Sequence, residues 1–575
     1  MKKKTLLYSA LLLGSLTWSS CTDMLDKEPL DKFTDSPLFW NNPSSVEGYA
    51  ATFYNLFTGY GNSGGHGDFY FQSLTDDQIG AGFDNWKYIN VPASDGNWSS
   101  TWDEIRRANA MITSLNEQAT DMDEATKNHW IGVARLMRAW QYWDLVRKYG
   151  DCTWLDHVPD INDPLLFAAR DDRDEVMDKV LEDLNFACEN IEDVNSQTTW
   201  SRNMANAMKA HICLWEGTFR KYRTQDENGK SADLEGANMF LQACVDACEQ
   251  VMPDYTLGTD IANYRATYNS VTLAGNPEII FYKEYKKDYF AHSTIAYTGS
   301  STQMDGISKD AFDSFLFLDG KTAANTSYDN TDAAIVAVSA SDGADHLNIQ
   351  KLLEVRDKRL GQIVDSVLCY MGSPWQRTVG DIAMTSSSGY SICKFDNVND
   401  LAPYYRQTTA ENYTSAPLYW LAVIYLDYAE AKAELGTITN EDLNNTINKL
   451  KARAGLPPIT TEVADAGDND MNVSPLIWEI RRERRCELML DNDFRYWDLI
   501  RWHQLDKLDT EKNPDIRLGA NLINDSTSEK QVEMDGNYID GYGTNKRTFD
   551  KKHYLYPIPS GQITLNPNLG QNMGW

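Results

Sequence analysis

The chain has 575 residues, 42% of them hydrophobic, enough to bury one large fold or about two to four domains. With 84 acidic against 53 basic side chains its formal net charge is −31, which argues against nucleic-acid binding, since that rests on phosphate neutralisation, and favours a neutral ligand. Beyond the N-terminus no stretch approaches about eighteen uninterrupted apolar residues, so none reads as a membrane-spanning helix.

Lys2, Lys3 and Lys4, the mostly apolar stretch Leu6 to Leu16, and Ser19-Ser20 ahead of Cys21 have the layout of a bacterial export signal. A cysteine directly after the small-residue site resembles the lipidation point of a bacterial lipoprotein, although Trp18 stands where leucine is usual. The expectation is a signal peptide over 1–20, a lipidated Cys21, a polar tether over 21–39 and a body over 40–575. Two or more acyl chains, at about 0.8 kcal/mol per buried methylene, anchor a protein stably.

From Pro43 the spacing of Val46, Tyr49, Phe53 and Leu56 predicts a helix capped by Ser44 or Ser45. Gly61-Asn62-Ser63-Gly64-Gly65 matches the G-x-S-x-G pattern of a hydrolase nucleophile. That chemistry needs a turn from strand to helix, and here a helical pattern precedes, so the stretch reads as a loop. Residues 69 to 97 are irregular. Helices then follow in pairs: Trp98 to Ile112 with Trp130 to Val146, then Val176 to Ile191 with Met204 to Arg220, then Leu234 to Met252. Small residues at Ala134, Ala139, Ala207 and Ala210 permit the close approach of stacked two-helix repeats.

Between about 253 and 417 loops and short segments dominate. Asn276 to Phe281 reads as a turn into a strand. Tyr282, Tyr285, Tyr289, Phe290, His292 and Tyr297 form an aromatic cluster off any helix stripe, and Trp375 lies in a second loop. Helices resume over about 418–508: Trp420 to Leu435, Glu441 to Ala454, and a long one from Ser474 with Pro475 in its first turn. Glu483 and Glu487 lie one turn apart among arginines at i+3 and i+4, which predicts ion pairs along the helix rather than a metal or acid-base site. Cys21 aside, the cysteines are Cys152, Cys188, Cys213, Cys244, Cys248, Cys369, Cys393 and Cys486. None forms a C-x-x-C, and Cys244 and Cys248, at i and i+4, are expected to be free thiols.

Glu483-Arg484, Glu487-Leu488 and Phe494-Arg495-Tyr496-Trp497-Asp498-Leu499 with Arg501-Trp502 form a run that resembles the C-terminal signature of the SusD/RagB-like outer-membrane lipoproteins of the Bacteroidetes. An extra residue stands near Asn492-Asp493. Further landmarks agree in order: Ala108-Asn109, Arg138-Ala139, Tyr149-Gly150-Asp151, Glu278-Ile279-Ile280-Phe281, Tyr428-Ala429-Glu430-Ala431, Arg453-Ala454-Gly455, Tyr556-Pro557-Ile558-Pro559 and Gln571-Asn572.

The resemblance implies a mostly α body of four tetratricopeptide-like helix pairs with an irregular ligand-binding portion, placed here at about 58–97 and 253–417. It implies a non-enzymatic, cell-surface protein that binds a glycan, or in some members a peptide. The partner it implies is a SusC-like TonB-dependent transporter in the outer membrane. Asp23, Asp26 and Glu28 resemble the acidic signal for the outer face. No cofactor is expected. The family admits a structural calcium, but the acidic loop Asp465 to Asp470 lacks an EF-hand's glycine and reads as solvated.

The expected ligand contacts are Asp76, Trp86, Tyr88 and Asn90 from the first loop region and Tyr289, Tyr297 and Trp375 from the middle one, chosen because they lie off the helix stripes. Two rival readings are a glycoside hydrolase, which needs two carboxylates about 5 to 9.5 Å apart across a cleft, and a helical scaffold that binds only protein.

Overall fold

The computed structural model describes residues 35–231, 233–299, 303–339, 345–525 and 531–575. The expected signal, Cys21 and the expected tether up to residue 34 lie outside the described residues. The last part of the expected tether is docked: Asp35 accepts from Trp40 Nε1 at 2.7 Å and from Gln118 Nε2 at 2.8 Å, and Trp40 is buried.

The helix periodicity is realised as α1 (Gly96–Gln118), α2 (Glu124–Tyr149), α3 (Arg173–Asn190), α4 (Arg202–Lys221) and α5 (Leu234–Val251). Each starts on a short polar side chain that takes a free backbone N–H: Asp95, Asp123, Asp172, Ser201 and Asp233. Helix α1 packs on α2, and α3 on α4. The third pair is discontinuous, because α5 packs on α6 (Leu421–Glu434), which returns only after the loop-rich portion. Helices α7 (Ile447–Arg453) and α8 (Pro475–Glu487) form the fourth, with α9 (Phe494–Arg501) leaning back on α4. Ala134, Ala139, Ala207 and Ala210 are fully buried. Gly217 lets α4 and α5 approach closely, since a Cβ there would lie 2.7 Å from Leu241 Cγ.

Some local expectations shift. Asn42, rather than Ser44 or Ser45, caps the helix Pro43–Ala50, which continues as a 3-10 turn over Ala51–Leu56. The stretch from Glu441 is two short helices, Asn440–Asn445 and α7. The long last helix is broken between α8 and α9, where Leu490, Asn492 and Asp493 all have positive φ (68°, 44° and 53°). The extra residue thus lies in a turn of left-handed backbone, which costs non-glycine residues about 1–3 kcal/mol each. Strand β1 (Ile279–Lys283) pairs antiparallel with β2 (Ala416–Trp420), closing the loop-rich portion back onto α6.

The family landmarks meet in space as buried polar networks. Glu430 accepts both Arg501 Nη atoms (2.6 and 2.7 Å) and Trp502 Nε1 (2.6 Å), joining the Tyr428 to Ala431 motif to the end of the C-terminal signature. Arg359 reaches Glu483 (2.6 Å) and Glu487 (2.8 Å), while Arg453 bridges Glu487 and Glu278. The pairing expected within α8 is therefore mostly between elements. Of the α8 arginines, Arg482 binds Glu479 on its own helix, whereas Arg481, Arg484 and Arg485 reach Glu434, Asp427 and Asp77. Burial alone would raise the Glu483 carboxyl, but Arg359 and Lys451 more than offset it and hold it below the usual range. At the C-terminus Asn572 donates to the Tyr149 and Tyr556 carbonyls and accepts from Arg170, which ties the tail to α2. All eight described cysteines are free thiols, including Cys244 and Cys248.

Candidate functional site

The loop from Gly59 to Asp68 is closed by the Asp68 N–H donating to the Gly59 carbonyl at 2.8 Å. A Cβ on Gly61, at φ +84°, would come within 2.5 Å of the Gly65 carbonyl oxygen, and one on Gly67 would collide with that of Gly59. Glycine is needed here for space. Ser63 donates its backbone N–H to Ala291 O (2.7 Å) and accepts from Ser293 Oγ (2.7 Å). This serine thus anchors a loop and does not occupy a strand-to-helix turn.

Two groups of aromatic side chains flank that loop. On one side His66 stacks on Phe71 with centroids 3.7 Å apart, Tyr297 meets both rings edge-on at 5.2 and 5.1 Å, and Tyr297 Oη donates to Gly64 O at 2.8 Å. On the other, Tyr285 and Phe290 stack at 5.1 Å, with Tyr289 on the adjoining turn 83% exposed. Lys283 Nζ pins this side to the loop through the carbonyls of Phe57 and Thr58 and Asn62 Oδ1. Tyr404, Tyr405 and Tyr413 continue the aromatic surface edge to face, with Lys287 over the Tyr405 ring.

Beside Tyr297 lies a carboxylate. Tyr70 Oη donates to the carbonyls of both Tyr297 and Asp305 (3.2 Å each), and Asp305 Oδ1 accepts from the Ala81 N–H at 2.7 Å. Burial pushes the Asp305 carboxyl up to about 6. Flat rings held by backbone anchors, next to a half-buried acceptor, suit a ligand that offers an apolar face and hydroxyl edges.

Of the seven expected ligand contacts, the structure brings Tyr289 and Tyr297 to this face. Asp76 is 1% exposed and clamped by Arg495 at 2.8 and 2.6 Å. Burial would raise its carboxyl, but Arg485 and Arg495 drive it far below the usual range. It is a core ion pair, so its assignment as a ligand contact is withdrawn. Trp86 is buried as well, stacked on His553 at 4.1 Å with Nε1 donating to Thr548 O at 2.7 Å. Trp375 is 7% exposed in a small cluster with Val367, Cys369 and Met384. Trp86 is covered by a segment far away in sequence and Trp375 by its own neighbours in the chain, so they too are withdrawn. Tyr88 is half-buried and donates to Asp95, the cap of α1. Asn90 is exposed on the same loop.

His66, Phe71 and Asp305 escaped the sequence reading. The available signal was a glycine-rich loop followed at once by Phe69, Tyr70 and Phe71. In the acidic loop, Asp470 is engaged by Lys507 and Trp478, and among the described residues no three His, Cys, Asp or Glu side chains cluster as a metal would need.

Stacked helix pairs carrying a loop-borne aromatic face define a tetratricopeptide-like helical protein. The model of the SusD family matches residues 277–575, and a second, described as "Starch-binding associating with outer membrane", matches 30–214. The chain belongs to the SusD family. A SusD-like protein of Bacteroides ovatus is 26% identical over 48% of this chain, a match that spans only 49% of that relative's own length. SusD-like protein P2 of Formosa agariphila is 22% identical over 83% of this chain and 79% of its own. The solved SusD-like carbohydrate binding protein of Bacteroides fragilis superposes with a TM-score of 0.66 at 19% identity, covering 92% of this chain and 100% of that one. A solved laminarin binding SusD-like protein gives 0.52 at 18% identity, covering 92% and 99%.

Proposed function

We propose that the protein is a cell-surface lipoprotein, anchored through acylated Cys21, that captures oligo- or polysaccharide on its loop face. It delivers the glycan to a SusC-like TonB-dependent transporter of the outer membrane without cutting it. The observation that carries this reading is the pair of aromatic groups around the glycine loop, with Tyr289 exposed and Tyr297 anchored beside Asp305. Membership of the SusD family, and solved relatives named for carbohydrate and laminarin binding, support it. Tyr289 and Tyr297 keep their role as ligand contacts, now joined by His66 and Phe71.

Affinity electrophoresis through gels cast with neutral polysaccharides tests the binding step. The wild type is expected to be retarded by at least one of them, and Phe71→Ala with Tyr297→Ala to lose most of that retardation. Retardation by none would favour a protein-only scaffold or a peptide ligand. Release of reducing ends during incubation would favour a hydrolase.

A further inference from the structure

A cavity of ≈ 500 Å³ opens where α8 and α9 face the short helix Lys309–Ser314 and the acidic loop Asp465 to Asp470. Its volume falls in the range of about 300–1,000 Å³ usual for small-molecule sites. Arg482 and Arg485 from α8 and Arg495 from α9 line it, with side chains at most 9% exposed. Asp310, Asp313 and Asp470 also line it, with side chains at least 36% exposed. The arginines therefore form the floor and the acids the rim.

Every cation of this cavity already has a carboxylate partner. Arg481 pairs with Glu434, Arg482 with Glu479, Lys507 with Asp470, Arg485 with Asp77 and Arg495 with Asp76. The hydrogen bonding of two of them is nevertheless incomplete. Arg495 gives Nε and Nη2 to Asp76 at 2.8 and 2.6 Å, and Arg485 gives Nε to Asp77 at 2.7 Å and Nη2 to the Asp76 carbonyl at 3.3 Å. The Nη1 of each finds no hydrogen-bond partner among the described residues, and neither is a sealed-off atom, so both donors are open to the cavity. Guanidinium donors this deep in a protein are normally satisfied. The rim is deficient in the opposite sense. Asp310 is held by Arg485 and Asp313 by Lys309, whereas Asp468, exposed at the mouth, has no ion pair among the described residues. Trp478 and Met471, each 7% exposed, add an apolar part to the wall.

We propose that this cavity is a second saccharide subsite, in which hydroxyl groups of a neutral sugar accept from Arg485 Nη1 and Arg495 Nη1 and donate to Asp310, Asp468 and Asp470. Because the floor cations are already matched in charge, a formal anion would gain little there and would be repelled at the rim. A cation would meet the N–H donors of the floor. A hydroxyl both donates and accepts, and its hydrogen bonds to charged groups are the strong kind. The inference rests on the glycan reading above and adds a separate place on the molecule where that glycan binds.

The test uses the intact protein with 15N-labelled tryptophan and a panel of neutral hexasaccharides: maltohexaose, laminarihexaose, cellohexaose, mannohexaose and xylohexaose. Calorimetry identifies a panel member that binds. The reporter is the indole signal of Trp478, assigned from Trp478→Phe, because its Nε1 lies 3.5 Å from Asp470 Oδ1 and a sugar bound to Asp470 changes its surroundings. The signal is expected to shift in the wild type and still to shift when the loop face carries Phe71→Ala and Tyr297→Ala. In that loop-face background Asp468→Asn is expected to weaken the cavity's affinity about tenfold, the loss of one charged hydrogen-bond acceptor. Asp468 is exposed and unpaired, so the variant tests recognition and not folding. A hexasaccharide that binds without moving the Trp478 signal, that moves it only while the loop face is intact, or whose cavity affinity is untouched by Asp468→Asn overturns the subsite and leaves the glycan reading standing. Movement of the signal by inorganic sulfate or glycylglycine, and by no sugar that binds, makes the cavity a site for charged ligands and also overturns the subsite. Binding of no panel member overturns the glycan reading, and the subsite with it.

Discussion

Glu487 provides the sharpest test of how the family signature holds the fold. It is 1% exposed and accepts from both Arg359 and Arg453, whose other partners are Asp357, Glu483 and Glu278. Glu487→Ala would leave two buried guanidiniums short of one carboxylate. Removing one partner of a buried ion pair costs about 3–5 kcal/mol, because the remaining charge stays desolvated. The lower end applies here, since Arg359 keeps two carboxylates and Arg453 keeps one. An exposed pair is the control: Glu511→Ala removes the partner of Lys546, both half exposed, and should change stability by no more than about 0.5 kcal/mol. Urea unfolding followed by tryptophan fluorescence reads the difference at the first transition. A Glu487→Ala cost below about 1 kcal/mol would refute the reasoning, because the network would then be ornament on a fold held by apolar burial alone.

Asp68→Asn should stabilise the protein at pH 8.5 and not at pH 3.5. The Asp68 carboxyl lies at about 7 against an ordinary 3.8, so ionising it in the folded state carries a penalty that is absent below pH 3.8 and complete once the pH passes 7. The shift corresponds to about 4 kcal/mol; with part of it shared by Asp493 and part screened by solvent, about 2 kcal/mol should be recovered in thermal melts. Equal stabilisation at both pH values would contradict this assignment. Gly67→Ala should cost about 1–3 kcal/mol by driving the loop apart, and should weaken retention on polysaccharide gels. Unchanged retention would separate the loop's conformation from binding. Cys21→Ala should release the protein from the membrane fraction and impair growth on the cognate glycan, as seen by fractionation and growth curves.

The helix pairs were legible because their stripes repeat at 3.6 residues and their caps are local: Ser474 and Pro475 mark the start of α8 in sequence as they do in space. The partners of Glu483 and Glu487 were not legible, since spacing along one helix reveals only neighbours at i±3 and i±4, and Arg359 and Arg453 come from other elements. A similar limit applies to the expected ligand contacts. Asp76, Trp86 and Trp375 lie off the helix stripes, but in a body this large a loop is itself covered. Trp86 is closed over by Thr548 and His553, more than 450 positions away in the chain. Of the aromatic cluster Tyr282 to Tyr297, the structure buries Tyr282, Tyr285 and His292 and leaves Tyr289 exposed, a division that the sequence pattern does not announce. Phe71 and His66 meet Tyr297 ring to ring because the glycine loop folds back on itself, a contact across more than 220 positions that no residue spacing announces.

The most direct measurement of the central claim is calorimetric titration of the purified protein with the neutral glycan that retards it in gels, beside the Phe71→Ala, Tyr297→Ala double variant. Saturable wild-type binding, weakened at least tenfold in a variant that unfolds at the wild-type urea midpoint, is the predicted result. Equal affinity of the two proteins would contradict the placement of the glycan on the loop face.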